Sequence, residues 1–302
     1  MAAAAPPFDV DFVWTYCSAL RRLSEQQFPP HGEQLSVPCA LVDDLKYSIR
    51  AVCLHAPWFR HIVVVVADDD CVPGWLKADA PRLRIIKHSE FMPKATLPSF
   101  NSNVVESYVH KIEGLSECFV YLNDDTYIGV PTPWTGFFTP AGLPINRHCR
   151  GPPDHGLAPT SNMFVRMMQH AIREHGMHYT RYQHQMQPCK RSLMAHYERR
   201  FAGALRATRR NRHRQPNDFN LLRFTTCFST SERKAPHVKT GDRTDYFTEG
   251  GDEAGVHAIP TAGKGGRRPP RFFCINNTVR KYDHVYAVLQ HLFPLPSRFE
   301  RN

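Results

Sequence analysis

The residues best placed to do chemistry stand where a strand stops. Phe119-Val120-Tyr121-Leu122 is a short apolar, β-favouring run that ends abruptly at Asn123-Asp124-Asp125. The carboxyl ends of strands border the ligand crevice of open α/β sheets, and adjacent carboxylates there offer hard oxygens to Mg2+ or Mn2+ on a diphosphate. A solvated strand-to-turn junction uses the same residue types. The flanking sequence decides between the two.

The elements able to position that tip run through the first half of the chain. Phe8 to Tyr16 alternates as a strand does, and Asp43-Asp44 opens a helical spacing through Leu45, Ile49 and Val52 that stops at Pro57. Ile62 to Ala67 is a continuous β-branched run, as expected of a parallel strand buried on both faces, and Leu83 to Ile86 is a third strand. Asn103 to Ile112 reads as a helix leading into the strand with the acids. Strand, helix, strand, strand, helix, strand is an α/β nucleotide-binding order. After the Pro/Gly-rich segment 131–159 the pattern turns helical: Phe164 to His175 ends at Gly176, and Leu193, Tyr197, Phe201 and Leu205 recur every four residues as a core stripe. Residues 229–270 are polar and Gly-rich and read as a flexible insert; a strand, Arg271 to Ile275, and a helix, Val279 to Leu292, follow.

At 302 residues and 42% hydrophobic content the chain can bury a full core, as one large domain or two intimate lobes. Lys and Arg outnumber Asp and Glu by 38 to 28, which favours anionic partners. Nine cysteines without a Cys-x-x-Cys pair argue against a zinc ribbon or a dithiol redox site. Residues 1–7 lack the basic and apolar regions of a secretory signal, and no window reaches membrane-spanning length. The expected location is the cytoplasm or a membrane periphery, or the Golgi lumen if the chain belongs to a longer eukaryotic precursor. The run ATRRNRHRQ has no interleaved aromatics, so nucleic acid is not an expected partner.

Taken together, the segments resemble the Stealth family of hexose-1-phosphate transferases. The resemblance is carried by FVWTY at 12–16, by DDLKYSIRAVCLHAPWFRHIVVVV, VPGWL, RLRIIKHSEFMP and LPSFNSNVVESYVHKIEGLSECFVYLNDDTYIG between 43 and 129, by SNMFVRMMQHAIREHG with His184, Arg212-His213-Arg214 and Asn217-Asp218 downstream, and by FFCIN and LFPLPSRFE near the end. It implies a Rossmann-like, nucleotide-diphosphosugar-transferase (GT-A-like) core over 8–150. A mainly helical part over 151–302 would complete the same catalytic domain. It also implies transfer of a sugar 1-phosphate, commonly from UDP-N-acetylglucosamine, to a hydroxyl of a glycan or glycoprotein, with Mg2+ or Mn2+.

Phosphoryl transfer is chiefly positioning and charge neutralisation, and the resemblance supplies a residue for each task. Asp124 and Asp125 are the expected metal and diphosphate ligands, with Asn123 hydrogen-bonding beside them; neighbours on a strand end point differently, so one, with Asp125 preferred, binds directly. Arg214 is expected to clamp phosphate. His184 is expected to accept the acceptor's proton or bind the transferred phosphate. Asp218 would orient the arginine, act as base, or serve as a helix N-terminal acid. Asn101, Ser102 and Glu106 surround a helix start suited to a sugar or phosphate, although capping uses the same residues. Asp44, Tyr47 and Arg50 serve the nucleotide, or cap and pair. Trp14, Thr15, Asn162 and Asn276 complete the expected substrate contacts.

Departures from the family pattern bear on donor recognition. After the first strand the family usually has Asn or Asp, then Gly-Ser-Asp, where this chain has Cys17-Ser18-Ala19-Leu20, and Asn277 stands where an Asp is usual. Asp68-Asp69-Asp70 replaces a more neutral turn, either compensating for the lost acid or forming a solvated turn. Two alternatives to the phosphotransferase stay open at this level: a metal-dependent glycosyltransferase, and a non-catalytic glycan- or nucleotide-binding relative.

Overall fold

The computed structural model describes residues 5–16, 43–147, 186–234, 236–238, 244–247, 270–275 and 282–301, together with positions 166, 169, 170, 173 and 174. In chain order the elements that matter are β1 (Val10–Thr15), α1 (Asp44–His55), β2 (Ile62–Val66), β3 (Leu83–Lys87), α2 (His88–Phe91), α3 (Ser102–Glu106), β4 (Cys118–Asn123), β5 (Thr126–Ile128), β6 (Asn146–Arg147), β7 (Gln187–Lys190), α4 (Arg191–Arg200), α5 (Ala202–Thr208), α6 (Leu221–Ser231), β8 (His237–Val238), β9 (Thr244–Phe247), β10 (Phe272–Ile275) and α7 (Tyr282–Leu292).

The central sheet has the order β3-β2-β1-β4-β7, with the first four strands parallel and β7 antiparallel to β4. Its chemistry follows from the side-chain alternation of β1. Val13 joins Val63, Val65 and Tyr121 in a core layer under the helices of the second half, while Phe12 and Trp14 join Val64 and Val120 in the layer covered by α1. Every residue of β2 is buried, as its unbroken Ile-Val run requires. Strand order departs from sequence order around β1, so a topological switch point lies beyond the register partners Thr15 and Asn123. The result is a mixed α/β protein with a parallel-dominated sheet, as the strand and helix pattern predicts.

A smaller sheet, β5-β10-β9, continues from the tip of β4 and packs on α1 and α7 through Tyr47, Tyr127, Phe273 and Leu289. Both halves of the chain therefore contribute strands to both sheets.

Several expected elements change. The helix expected over Asn103–Ile112 is only α3, followed by a 3-10 turn at Val109–Lys111. Ser107 donates its hydroxyl to the Val104 carbonyl at 2.7 Å, an alternative to continued helix, and Gly114, at φ 68°, turns the chain towards β4. The apolar stripe through Leu193 and Leu205 breaks at Phe201 into α4 and α5, with Tyr197 and Leu205 fully buried. Residues 229–270 are not all insert: α6 runs to Ser231, and β9 pairs in parallel with β10, its Tyr246 opposite Cys274. Strand β7 was hidden by Pro188, which an edge strand tolerates. The expected helix Phe164–His175 and Gly176 lie outside the described residues except for five positions, all helical.

Candidate active site

The switch point is built from a buried polar chain. The Tyr121 hydroxyl lies 2.7 Å from Thr15 Oγ1, 3.1 Å from Glu106 Oε1 and 3.1 Å from Asn123 Oδ1. Burial, with the Glu106 charge beside it, holds the phenol well above its ordinary value, so it stays a donor. Glu106 Oε2 accepts from Asn220 Nδ2 at 2.8 Å, and the same amide reaches Asn103 Oδ1 at 2.8 Å. Asn103 Nδ2 in turn donates to Asp218 Oδ2 at 3.2 Å, and Asn101 Nδ2 does so at 2.7 Å. Asn101 also caps α3 by accepting from the Asn103 amide, and Asn220 caps α6 by accepting from that of Arg223. Half-buried Ser102 is the first residue of α3.

This chain ends in the loop between α5 and α6. Asp218, fully buried, also accepts from Asn211 Nδ2 at 2.7 Å and from the Gln215 amide at 2.9 Å, while Asn101 Nδ2 lies 3.2 Å from the carbonyls of both Asn211 and His213. The His213 ring stacks on Phe100 at 5.3 Å, and the Phe100 amide donates to the Arg212 carbonyl at 3.0 Å. Arg214 thus has its backbone held on both sides, at His213 and at Gln215, while its side chain is exposed. Of the roles expected for Asp218, orientation of this loop is the one its surroundings serve.

Asp124 and Asp125 form the turn between β4 and β5. Thr126 Oγ1 donates to the Asn123 carbonyl at 2.8 Å, and the Ile275 amide donates to the Asp125 carbonyl at 3.1 Å, which fixes the turn to β10. Asp125 is buried and Asp124 half-buried. The start of α1 faces them. Burial pushes the Asp43 carboxyl above its ordinary value and the Asp124 charge adds to it. Asp44 accepts from the Tyr127 hydroxyl at 2.7 Å, and that phenol is raised by burial and by Asp44, Asp125 and Asp124 together. Burial and then Asp125 raise the Cys274 thiol. Among the described residues no three His, Cys, Asp or Glu side chains form a preassembled metal cluster. Mg2+ is usually held by one or two carboxylates and completed by water and phosphate oxygens. Asp124 and Asp125 on their turn, with Asp43 and Asp44 at the facing start of α1, are too open for a closed protein cage and suit an ion of that kind.

One expected substrate contact, Trp14, is corrected, and Arg50 takes the pairing of its two expected roles. Trp14 is fully buried in the layer under α1 and donates Nε1 to Ser48 Oγ at 2.9 Å, because strand alternation turns it into the core. Arg50 is consumed by a buried fork to Glu300, with Nε and Nη2 at 2.8 and 2.6 Å, while Nη1 donates to the Phe293 carbonyl at 2.9 Å. His184, Asn162 and Asn276 lie outside the described residues. The network adds Tyr121, Asn103, Asn211 and Asn220, which sequence reasoning passed over; the only available signal was the density of asparagines at the two helix starts.

Comparison with known proteins now bears on this geometry. Residues 40–146, from just before α1 through the strand tip to β6, match Stealth protein CR2, conserved region 2. Over 325 residues, 97% of this chain and 57% of the relative, the sequence is 29% identical to the exopolysaccharide phosphotransferase CpsY of Mycobacterium leprae. It is 30% identical over 336 residues, 98% of this chain and 52% of the relative, to an exopolysaccharide phosphotransferase of Streptomyces coelicolor. A second such protein of Streptomyces coelicolor is 50% identical over 101 residues, 33% of this chain. The chain spans little more than half the length of the first two. The second conserved region and the similarity to these relatives, which runs almost end to end of this chain, support a Stealth family protein.

Proposed function

We propose that this protein is a phosphotransferase that moves a sugar 1-phosphate from a nucleotide sugar to a glycan hydroxyl in cell-surface polysaccharide synthesis, with UDP-N-acetylglucosamine as donor and a GT-A-like core. The observation that carries the proposal is the buried chain from Thr15 and Asn123 at the switch point to Asp218 under the Arg214 loop. It ties a carboxylate-bearing strand end and an exposed guanidinium into one unit, the two charge partners that phosphoryl transfer needs. The naming of the Mycobacterium and Streptomyces relatives as exopolysaccharide phosphotransferases supports the same reaction class.

In this reading the acceptor oxygen attacks the phosphorus attached to the sugar. The bond from that phosphorus to the nucleoside monophosphate breaks, and the hydroxyl proton leaves. Asp125 and Asp124 would hold Mg2+ or Mn2+, which when bound neutralises charge on the diphosphate. Arg214, on its pinned loop, binds phosphate oxygens and favours the charge that builds up during transfer. His184 is the residue that the family resemblance nominates for the proton.

The test is incubation of the protein with divalent metal and a panel of nucleotide sugars, with and without glycan acceptors. Release of nucleoside monophosphate supports the proposal; release of nucleoside diphosphate identifies a glycosyltransferase, and no release with retained metal binding identifies a non-catalytic relative.

A further inference from the structure

We infer that the nucleoside of the donor sits in a cavity at the ends of β2 and β3, with Asp68 accepting from the ribose hydroxyls; the inference rests on the donor reading above. The cavity measures about 270 Å³. Its walls are Ala67 and Asp68 just past β2, His88 and Ser89 at the start of α2, and Leu97 to Ser99 ahead of α3. Pockets that take whole drug-sized ligands run from roughly 300 to 1,000 Å³, so this one suits part of a nucleotide sugar. Among the lining residues Leu97 and Pro98 are apolar, as a base requires, and Ser89, Ser99 and His88 are polar.

Location points the same way. Val66 and Lys87, the last residues of β2 and β3, are register partners, so the cavity opens at the carboxyl edge of the parallel sheet, where sheets of this kind bind nucleotides and set an acid on the ribose hydroxyl. Asp68 supplies a carboxylate just past the end of β2. Of the three consecutive acids it is the one fitted for this. Asp69 is exposed and pairs with Lys87 at 3.0 Å, and Asp70 is exposed, whereas Asp68 is half-buried and lines the cavity.

The cavity also shares a wall with the arginine loop. Pro98 and Ser99 line it, and the Pro98 carbonyl accepts from Arg212 Nε at 3.2 Å. A nucleoside seated there shares its wall with the loop that carries Arg214.

The experiment is calorimetric titration of the full chain with a panel of ribonucleoside 5′-monophosphates, with the 2′-deoxy counterpart of the tightest one, and with inorganic pyrophosphate. Asp68→Asn, nearly isosteric, is expected to weaken ribonucleotide binding by about 10- to 100-fold, the loss of a charge-assisted hydrogen bond. It should also erase the preference for ribose over deoxyribose and leave pyrophosphate affinity unchanged. Ser89→Trp, which fills the cavity from an exposed position, is expected to abolish nucleotide binding and spare pyrophosphate. Wild-type ribonucleotide affinity in either variant, or a wild-type protein indifferent to the 2′-hydroxyl, overturns this inference alone. Failure of the wild-type chain to bind any nucleotide overturns the donor reading with it.

Discussion

Asn101 Nδ2 donates to Asp218 Oδ2 at 2.7 Å across 117 positions of sequence, and both side chains are fully buried. One residue starts α3 beside the strand tip and the other lies under the loop of Arg214. The site therefore depends on a hydrogen-bonded contact between the two halves of the chain, made where neither is wet, so its loss is felt both in stability and in placement of the arginine.

Asp218→Ala removes the acceptor of three asparagine amides and of the Gln215 N–H at once. Unsatisfied buried donors cost about 1–3 kcal/mol each before relaxation, so a loss of at least ~3 kcal/mol in urea unfolding is expected, and Asp218→Asn is expected to cost less. A change below ~1 kcal/mol for the alanine variant would show that water or neighbouring groups replace the carboxylate, and that the loop is not held as described.

Arg214→Ala is expected to leave the melting temperature unchanged, because the side chain is exposed, while lowering turnover ~100-fold or more. Asp125→Asn keeps the shape of the β4–β5 turn and is expected to lose activity to a similar degree. Turnover in each purified variant is the measurement, and wild-type rates in either would remove that residue from the reaction.

How much of this was legible beforehand differs by residue. The β-branched run at Ile62 and the abrupt stop at Asn123 gave the parallel strands and their carboxylate tip, since both depend on local pattern. Of the two roles open to Arg50, pairing is the one it takes, but its partner, Glu300, is 250 positions away and no local signal points to it. Trp14 was misread because the strand pattern does not say which of two buried faces a residue takes. Tyr121 looks like core in a run of apolar residues, and only the folded chain brings Thr15 and Glu106 to its hydroxyl. Asn101 was legible as a cap, but its second role needed Asp218 to arrive from the other half.

The helices of the second half are fastened at Glu198, and this attachment carries a pH signature. Burial raises the Glu198 carboxyl, but His110 at 2.9 Å, Lys111 at 2.8 Å and Arg209 at 2.8 Å outweigh it and hold it far below its ordinary value of 4.5. Burial lowers His110, so at neutral pH it donates as a neutral imidazole and the charge balance lies with Lys111 and Arg209. A depressed carboxylate contributes stability that is present above the unfolded value and is lost as pH falls towards the folded one. Glu198→Gln is therefore expected to cost about 2–4 kcal/mol at neutral pH. The gap from wild type should narrow steadily below about pH 4.5. A gap independent of pH in denaturant titrations would contradict this assignment.

Chelation tests whether the carboxylates of the β4–β5 turn hold a cation. Exhaustive treatment with EDTA is expected to abolish turnover and leave the fold intact, and added Mg2+ or Mn2+ is expected to restore it. Asp125→Asn should raise the metal concentration needed for half-maximal rate. Full activity in chelator would exclude a cation at this turn.

The most direct measurement of the central claim is the identity of the nucleotide released when the protein, a divalent metal, a nucleotide sugar and a glycan acceptor are combined. Nucleoside monophosphate, formed in step with sugar phosphate on the acceptor and lost in Arg214→Ala, is the predicted result. Nucleoside diphosphate as the product would contradict it.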